Sequence, residues 1–226
     1  MIHAVQKNTE KKRGKKKDPL LILFPRRCPF CDSVLPGRGE PVCPSCRKNR
    51  KVSCLPFPGG FAPWPYAGVW RDAVKRFKYH GRPAYASFFA DAILRAGESR
   101  IRAWAPECII PVPVHASRRR ERGYNQAEEI AVCLSRALGI PCEKKAVIRK
   151  RNTVPQNGLS PEERQRNLRG AFAVKDGIRL PGRVLLVDDI YTTGSTVREL
   201  EGLLKTRGAK EIHVVCVCVA LSQDFW

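Results

Sequence analysis

The sequence predicts an α/β protein with a mainly parallel sheet, preceded by a small cysteine-rich module, and three observations carry that prediction. Val184-Leu185-Leu186-Val187 is apolar without alternation and runs into Asp188-Asp189, a Gly/hydroxyl turn and a helical repeat. Such a run is expected of a parallel strand buried on both faces. Upstream, Cys108 to Pro113 is a short apolar strand followed by a cationic segment and a second helical repeat. Ahead of both stand Cys28-Pro29-Phe30-Cys31 and Cys43-Pro44-Ser45-Cys46, two pairs with the spacing of a metal knuckle. A chain of 226 residues accommodates one domain plus such a module.

Residues 1–25 form a basic leader, with Lys7, Lys11, Lys12, Arg13, Lys15, Lys16 and Lys17 among few large apolar residues. This is the pattern of a flexible charged tail. The apolar run Leu20 to Phe24 lies between Pro19 and Pro25 and is too short for a signal peptide. No stretch reaches the length of a membrane span, so a soluble, cytoplasmic protein is expected.

Residues 26–54 hold the two cysteine pairs. Ten cysteines without a secretory signal point to metal ligation or buried thiols rather than disulfides. Cys28, Cys31, Cys43 and Cys46 supply four thiolates on two tight turns, as a tetrahedral structural zinc requires. An iron centre on the same four sulfurs is the alternative. A redox pair would be expected in a βαβ context, and none precedes Cys28. The module has too few apolar residues to fold alone, so a metal would supply its stability. Arg26, Arg27, Arg47, Lys48, Arg50 and Lys51 surround it, which suits either contact with nucleic acid or packing on the following domain.

Residues 55–105 read as a linker and helices that pack on the core. Pro56, Pro58, Gly59, Gly60, Pro63 and Pro65 make the first part a linker or irregular arm. A helix follows from Val69 to about Tyr79, then another from Ala84 to Leu94, separated by Gly81 and Pro83. Phe77-Lys78-Tyr79-His80-Gly81 marks the first helix end, and His80 is its candidate for substrate contact.

Residues 106–226 carry the main α/β domain. His115 to Asn125 reads as a loop with Arg118, Arg119, Arg120 and Arg122, and Ala127, Ile130, Ala131, Leu134 and Leu138 follow at helical spacing before Gly139. Val197, Leu200, Leu203 and Leu204 repeat the pattern, with Gly208 as the stop.

The acidic pair falls at the carboxyl end of its strand, where open α/β sheets bind ligands. Ionised carboxylates only accept hydrogen bonds, so the vicinal hydroxyls of a ribose are suitable partners for Asp188 and Asp189. Thr192, Thr193, Gly194, Ser195 and Thr196 then lead into a helix N-terminus, whose free N–H groups and dipole favour a phosphate. A ribose 5-phosphate held across a strand-loop-helix turn meets both requirements. This stretch resembles the phosphoribosyl-pyrophosphate (PRPP) signature of type I phosphoribosyltransferases.

Further motifs sharpen the likeness. Pro111-Val112-Pro113, Arg122-Gly123-Tyr124-Asn125-Gln126, the spaced Thr153, Gln156, Arg164 and Asn167, Gly170-Ala171-Phe172 and the Asp-Asp strand resemble the ComF family. That resemblance implies a four-cysteine zinc module joined to a type I phosphoribosyltransferase-like domain, with a link to competence and DNA uptake. It implies a pyrophosphate loop after Pro113, with Val114, His115, Arg118, Arg122, Asn125 and Gln126 as candidates. Lys150 to Arg169 would be a polar flap closing over PRPP, with Arg151 and Gln156 as candidate contacts. Magnesium would accompany PRPP.

A formal charge of +21, from 42 basic and 21 acidic residues, exceeds what a small phosphosugar needs and predicts attraction to polyanions such as single-stranded DNA. Two functions follow. One is a PRPP/Mg-binding protein that handles single-stranded nucleic acid in DNA uptake or nucleotide metabolism. The other is an active phosphoribosyltransferase that releases pyrophosphate on transfer to an unidentified acceptor, without a nucleic-acid role.

Overall fold

Val184–Val187 lies on an inner strand of a six-stranded sheet in the computed structural model, which describes residues 25–36, 41–48, 51–153 and 161–220. Strand β1 (Leu55–Phe57) runs antiparallel to β2 (Gly60–Ala62), which lies parallel to β8 (Glu211–Val219). Then come β7 (Arg183–Tyr191) and β4 (Cys108–Pro111), both parallel to the preceding strand. The short β3 (Trp64–Pro65) pairs with β8 beyond β2.

The lack of alternation in β7 has its expected cause. Leu185 and Val187, with Val215 and Val217 of β8, pack against Phe89 and Ile93 of helix α3 (Tyr85–Trp104) and Ile130 and Leu134 of α5 (Gln126–Leu138). On the other face Val184 and Leu186 meet Leu200 and Leu204 of α7 (Ser195–Lys205). Both faces exclude water, so every residue of the run must be apolar.

The arm expected over 54–68 instead contributes β1, β2 and β3 to the sheet. The sheet therefore draws strands from both sides of residue 105. These strands are too short for periodicity to register, and their Pro and Gly residues mimic a linker. Gly60 has a packing reason, since a Cβ there would collide with the Val214 carbonyl of β8.

After the short α1 (Pro44–Lys48), helix α2 (Gly68–Tyr79) agrees with expectation, but α3 runs ten residues past the expected Leu94 end. The chain bends at Gly97, where the ring of Phe61 takes the space of a Cβ, and the helix then resumes to Trp104. The expected loop after His115 contains a short helix, α4 (Ala116–Arg122), with no buried residue and therefore no apolar signature. Its ends are marked by local chemistry: His115 accepts from the Ser117 N–H, and Gly123 takes a left-handed φ of 83°. Likewise Lys150–Arg169 is not wholly loop. Strand β5 (Val147–Arg149) pairs antiparallel with β6 (Phe172–Val174), and α6 (Pro161–Leu168) lies between them with Leu168 fully buried. One buried apolar residue is too few for a helical stripe to be read. Gln156, expected in this segment, lies outside the described residues, as do residues 1–24 of the leader.

The cysteine module packs on the main domain. Phe30, 4% exposed, sits edge-on to Trp64, Trp70 and Phe88 at centroid distances of 6.0, 5.0 and 5.4 Å. Arg76 of α2 donates from Nη1 to the carbonyls of Pro29 (3.1 Å) and Phe30 (2.9 Å). Among the described residues no helix is long and apolar enough to cross a membrane.

Candidate functional site: a strand-end cleft and a four-cysteine cluster

At the carboxyl ends of β4 and β7 the structure opens a cleft of about 370 Å³. One wall is the turn from β7 into α7. Gly194, with φ +71°, stands at the helix N-cap, and a Cβ there would collide with the Tyr191 hydroxyl and lie 3.2 Å from Arg198. The turn thus needs glycine for both conformation and space. Thr192, Gly194, Ser195 and Thr196 line the cleft, whereas Thr193 turns its Oγ1 to Ser195 Oγ at 2.8 Å. Glycine offers no side-chain cap and none is made, which leaves the first N–H groups of α7 facing the cleft as an anion site.

The floor is Asp188 and Asp189. Asp188 Oδ1 accepts from the Asp189 N–H at 2.8 Å, and Asp189 Oδ1 meets Lys78 Nζ of α2 at 2.8 Å. Burial pushes the Asp188 carboxyl up to about 7, and the neighbouring Asp189 charge adds to this, with Lys78, the Asp189 N–H and Arg149 pulling the other way. For Lys78 burial works against the charged form, but Asp189, by charge and hydrogen bond, and Asp188 outweigh it and raise the ammonium.

The opposite wall is cationic. Arg118, Arg122 and Arg149 line the cleft together with Val114 and Asn125. Arg118 Nη2 donates to the Thr153 carbonyl at 2.8 Å, and Arg149 bonds the Thr153 hydroxyl. Burial and then the like charge of Arg118 lower the Arg149 guanidinium to about 10, against the pull of Asp188. Arg122 lies 4.8 Å over the Tyr79 ring and donates to Gln126 Oε1 at 3.2 Å. Among the described residues the buried Nε atoms of Arg122 and Arg149 have no protein acceptor. Buried donors are normally paired, so this wall suits an anionic ligand.

Not every expected residue faces that space. His115 is not among the residues that line it and caps α4, whereas Asn125 lines the cleft and also caps α5, accepting from Ala127 N–H at 3.2 Å and donating to the Val112 carbonyl at 3.1 Å. Gln126 is fully buried, and the exposed Arg151 donates to the Arg169 carbonyl at 2.8 Å. His80, at the end of α2, is not among the residues that line the cleft. Lys78, Tyr66 and Arg149 were not anticipated. The sequence signal existed for Lys78, inside the Phe77–Gly81 segment, but a basic residue next to a histidine carries no mark of which one turns inward.

The second candidate site is the cysteine cluster. The Sγ atoms of Cys28, Cys31, Cys43 and Cys46 all lie within 4.8 Å of one another, and Cys31 and Cys43 are 3.6 Å apart. A tetrahedral zinc with Zn–S bonds of about 2.3 Å separates its sulfurs by roughly 3.8 Å, so the four residues fit such an ion. The turn bonds Cys28 N–H to the Ser33 carbonyl and Asp32 N–H to the Cys28 carbonyl, both at 2.9 Å, with Asp32 at φ 59°. A hydrogen bond from Ser45 leads the causes that bring the Cys43 thiol down to about 6, and burial raises Cys46 to about 12.

A mainly parallel sheet, an acid pair at its strand end, a glycine turn into α7 and an antiparallel arm alongside define a phosphoribosyltransferase-like domain. Residues 125–224 match the family described as Phosphoribosyl transferase domain. With the four-cysteine module ahead of that domain, the chain belongs to the ComF family. It is similar to DNA utilization protein YhgH of Shigella flexneri, 41% identical over 194 residues, 80% of this chain and 85% of that protein. It is also similar to competence protein F of Haemophilus influenzae, 47% identical over 111 residues, about half the length of each (48%). Among solved structures, a purine phosphoribosyltransferase from Pyrococcus horikoshii Ot3 aligns over 58% of this chain and 74% of its own, at 25% identity and a TM-score of 0.38.

Proposed function

We propose that the cleft binds PRPP with magnesium, and that the protein serves DNA uptake or nucleotide metabolism in the cytoplasm with single-stranded nucleic acid as a partner. The observation that carries the reading is the meeting of Asp188 and Asp189 with the Thr192–Thr196 turn in one cleft. The carboxylates suit the ribose 2- and 3-hydroxyls, and the turn at the start of α7 suits the 5-phosphate. Arg118, Arg122 and Arg149 suit the pyrophosphate, the buried Nε atoms of Arg122 and Arg149 having no protein acceptor among the described residues. Magnesium, when bound with PRPP, supplies charge neutralisation on the pyrophosphate oxygens. The role in DNA uptake rests on the ComF relatives, whose names are competence protein F and DNA utilization protein. The partner follows from the +21 charge. The four cysteines hold zinc in a structural role, since all four coordination positions would be filled by protein sulfur.

The same cationic wall favours a second reading, turnover, in which an acceptor displaces pyrophosphate from C1 and Asp188 and Asp189 stabilise the positive charge that develops on the ribose ring. Calorimetric titration of PRPP with Mg2+, followed by assay for released pyrophosphate with and without single-stranded DNA, separates the two. Binding without release supports a ligand-binding role, release supports transfer, and absence of binding at millimolar PRPP removes both.

A further inference from the structure

The acid pair on the cleft floor does not stand alone. Lys78 enters from α2, a part of the chain outside the 125–224 match to the phosphoribosyl transferase domain. Its ammonium lies 2.8 Å from Asp189 Oδ1, with the two side chains only 17% and 14% exposed.

Three features hold the lysine there. It sits in the last turn of α2, where the helix dipole favours a cation. The preceding residue, Phe77, is fully buried and fixes the rotation of the helix. On another side of the helix, Arg76 is bonded to the Pro29 and Phe30 carbonyls of the cysteine module. Lys78 is thus held at the strand end by packing, and is not a long side chain folded over a surface.

We infer that Lys78 is the positioning residue of the ribose end of the cleft, its ammonium fixing the Asp189 carboxylate so that sugar hydroxyls meet an oriented acceptor. The inference deepens the phosphosugar reading of the cleft and rests on it for the identity of the ligand. Two adjacent carboxylates at the end of a buried strand repel each other, and a cation is needed to hold both at the floor. The groups facing the pair are Lys78 and Tyr66 from the N-terminal part, Arg149 from β5, and Cys216 and Cys218 from β8. Of these, Lys78 is the cation in direct contact, and Arg149 acts from across the cleft. The charge of Lys78 also opposes the rise of the Asp188 carboxyl, which gives the role a readout independent of any ligand.

The test uses the full chain as wild type, Lys78→Met, Lys78→Gln and Lys78→Arg, with Lys144→Met on an exposed loop as a charge control. PRPP/Mg2+ affinity is measured by calorimetry, and the Asp188 carboxyl midpoint by carbon-13 NMR of aspartate-labelled, ligand-free protein. Lys78→Met and Lys78→Gln are expected to bind PRPP at least tenfold more weakly and to move the Asp188 midpoint upward. Lys78→Arg restores most of both, and Lys144→Met changes neither. The glutamine variant, which keeps donors without charge, covers the case that the methionine variant does not fold. PRPP affinity within twofold of wild type, or an unmoved Asp188 midpoint in a folded uncharged variant, overturns the inference. Should the wild type itself not bind PRPP, the ligand reading fails alone, and the carboxyl midpoint still decides whether Lys78 governs the pair.

Discussion

The cysteine cluster and the cleft are both collections of side chains at turns, but they are assembled from opposite kinds of information. The cluster takes all four cysteines from residues 28–46, on two turns whose C-x-x-C spacing places the sulfurs of each pair close together. The cleft takes its wall, floor and cations from segments around residues 66, 78, 118, 149 and 188–196, joined only because the sheet places them side by side. A local site owes its geometry to a short stretch of chain, whereas a distributed site owes it to the core. Damage should therefore propagate differently from each.

The largest effect is expected from the cluster. Replacing a buried ligand, Cys28→Ser or Cys46→Ser, or stripping the metal with a chelator should remove one bound ion per chain, measured by elemental analysis. It should also lower Tm by roughly 10 °C or more, because a small metal module takes its folding free energy from the ion. Phe30→Ala tests the joint between the two regions. Loss of a ring packed edge-on against Trp64, Trp70 and Phe88 should cost about 3–5 kcal/mol, seen in urea unfolding.

At the cleft, stability and binding should part company. Asp188→Asn is expected to weaken PRPP binding at least tenfold while raising Tm at pH 8. The sign follows from the raised carboxyl: its favourable contribution is complete below the unfolded value near 4 and is lost as pH rises through about 7. The wild type should thus lose stability between about pH 4 and 7 relative to Asp188→Asn, with little further change above, in melts recorded across that range. A smaller effect belongs to Gly194→Ala. A left-handed φ and the crowding of Tyr191 and Arg198 should cost about 1–2 kcal/mol and loosen PRPP binding by moving the N–H groups of α7. Smallest is Arg76→Ala, which removes two hydrogen bonds to the knuckle carbonyls, for about 1–2 kcal/mol.

The same contrast explains what could be read in advance. The cysteine pairs, the β7 strand, the acid pair and the turn into α7 are contiguous motifs, and each was legible as such. Strands β1 to β3 were not, because two or three residues rich in Pro and Gly give no period, and their place in the sheet depends on β8, some 150 residues away in sequence. The second half of α3 was hidden by Gly97, whose role is to admit the Phe61 ring. Lys78 and Arg149 escaped for the same reason. Each is one basic residue among 42, and only the fold, which brings the end of α2 and the β5 arm to the cleft, distinguishes them. His115 and Asn125 were expected in the pyrophosphate loop; both cap helices, and Asn125 also lines the cleft.

The most direct test of the account is a crystal structure of the protein with ribose 5-phosphate. The account predicts the phosphate on the Thr192–Thr196 turn and the 2- and 3-hydroxyls on Asp188 and Asp189, with the Lys78–Asp189 pair intact. A phosphate bound elsewhere, or an empty turn at saturating ligand, would contradict it.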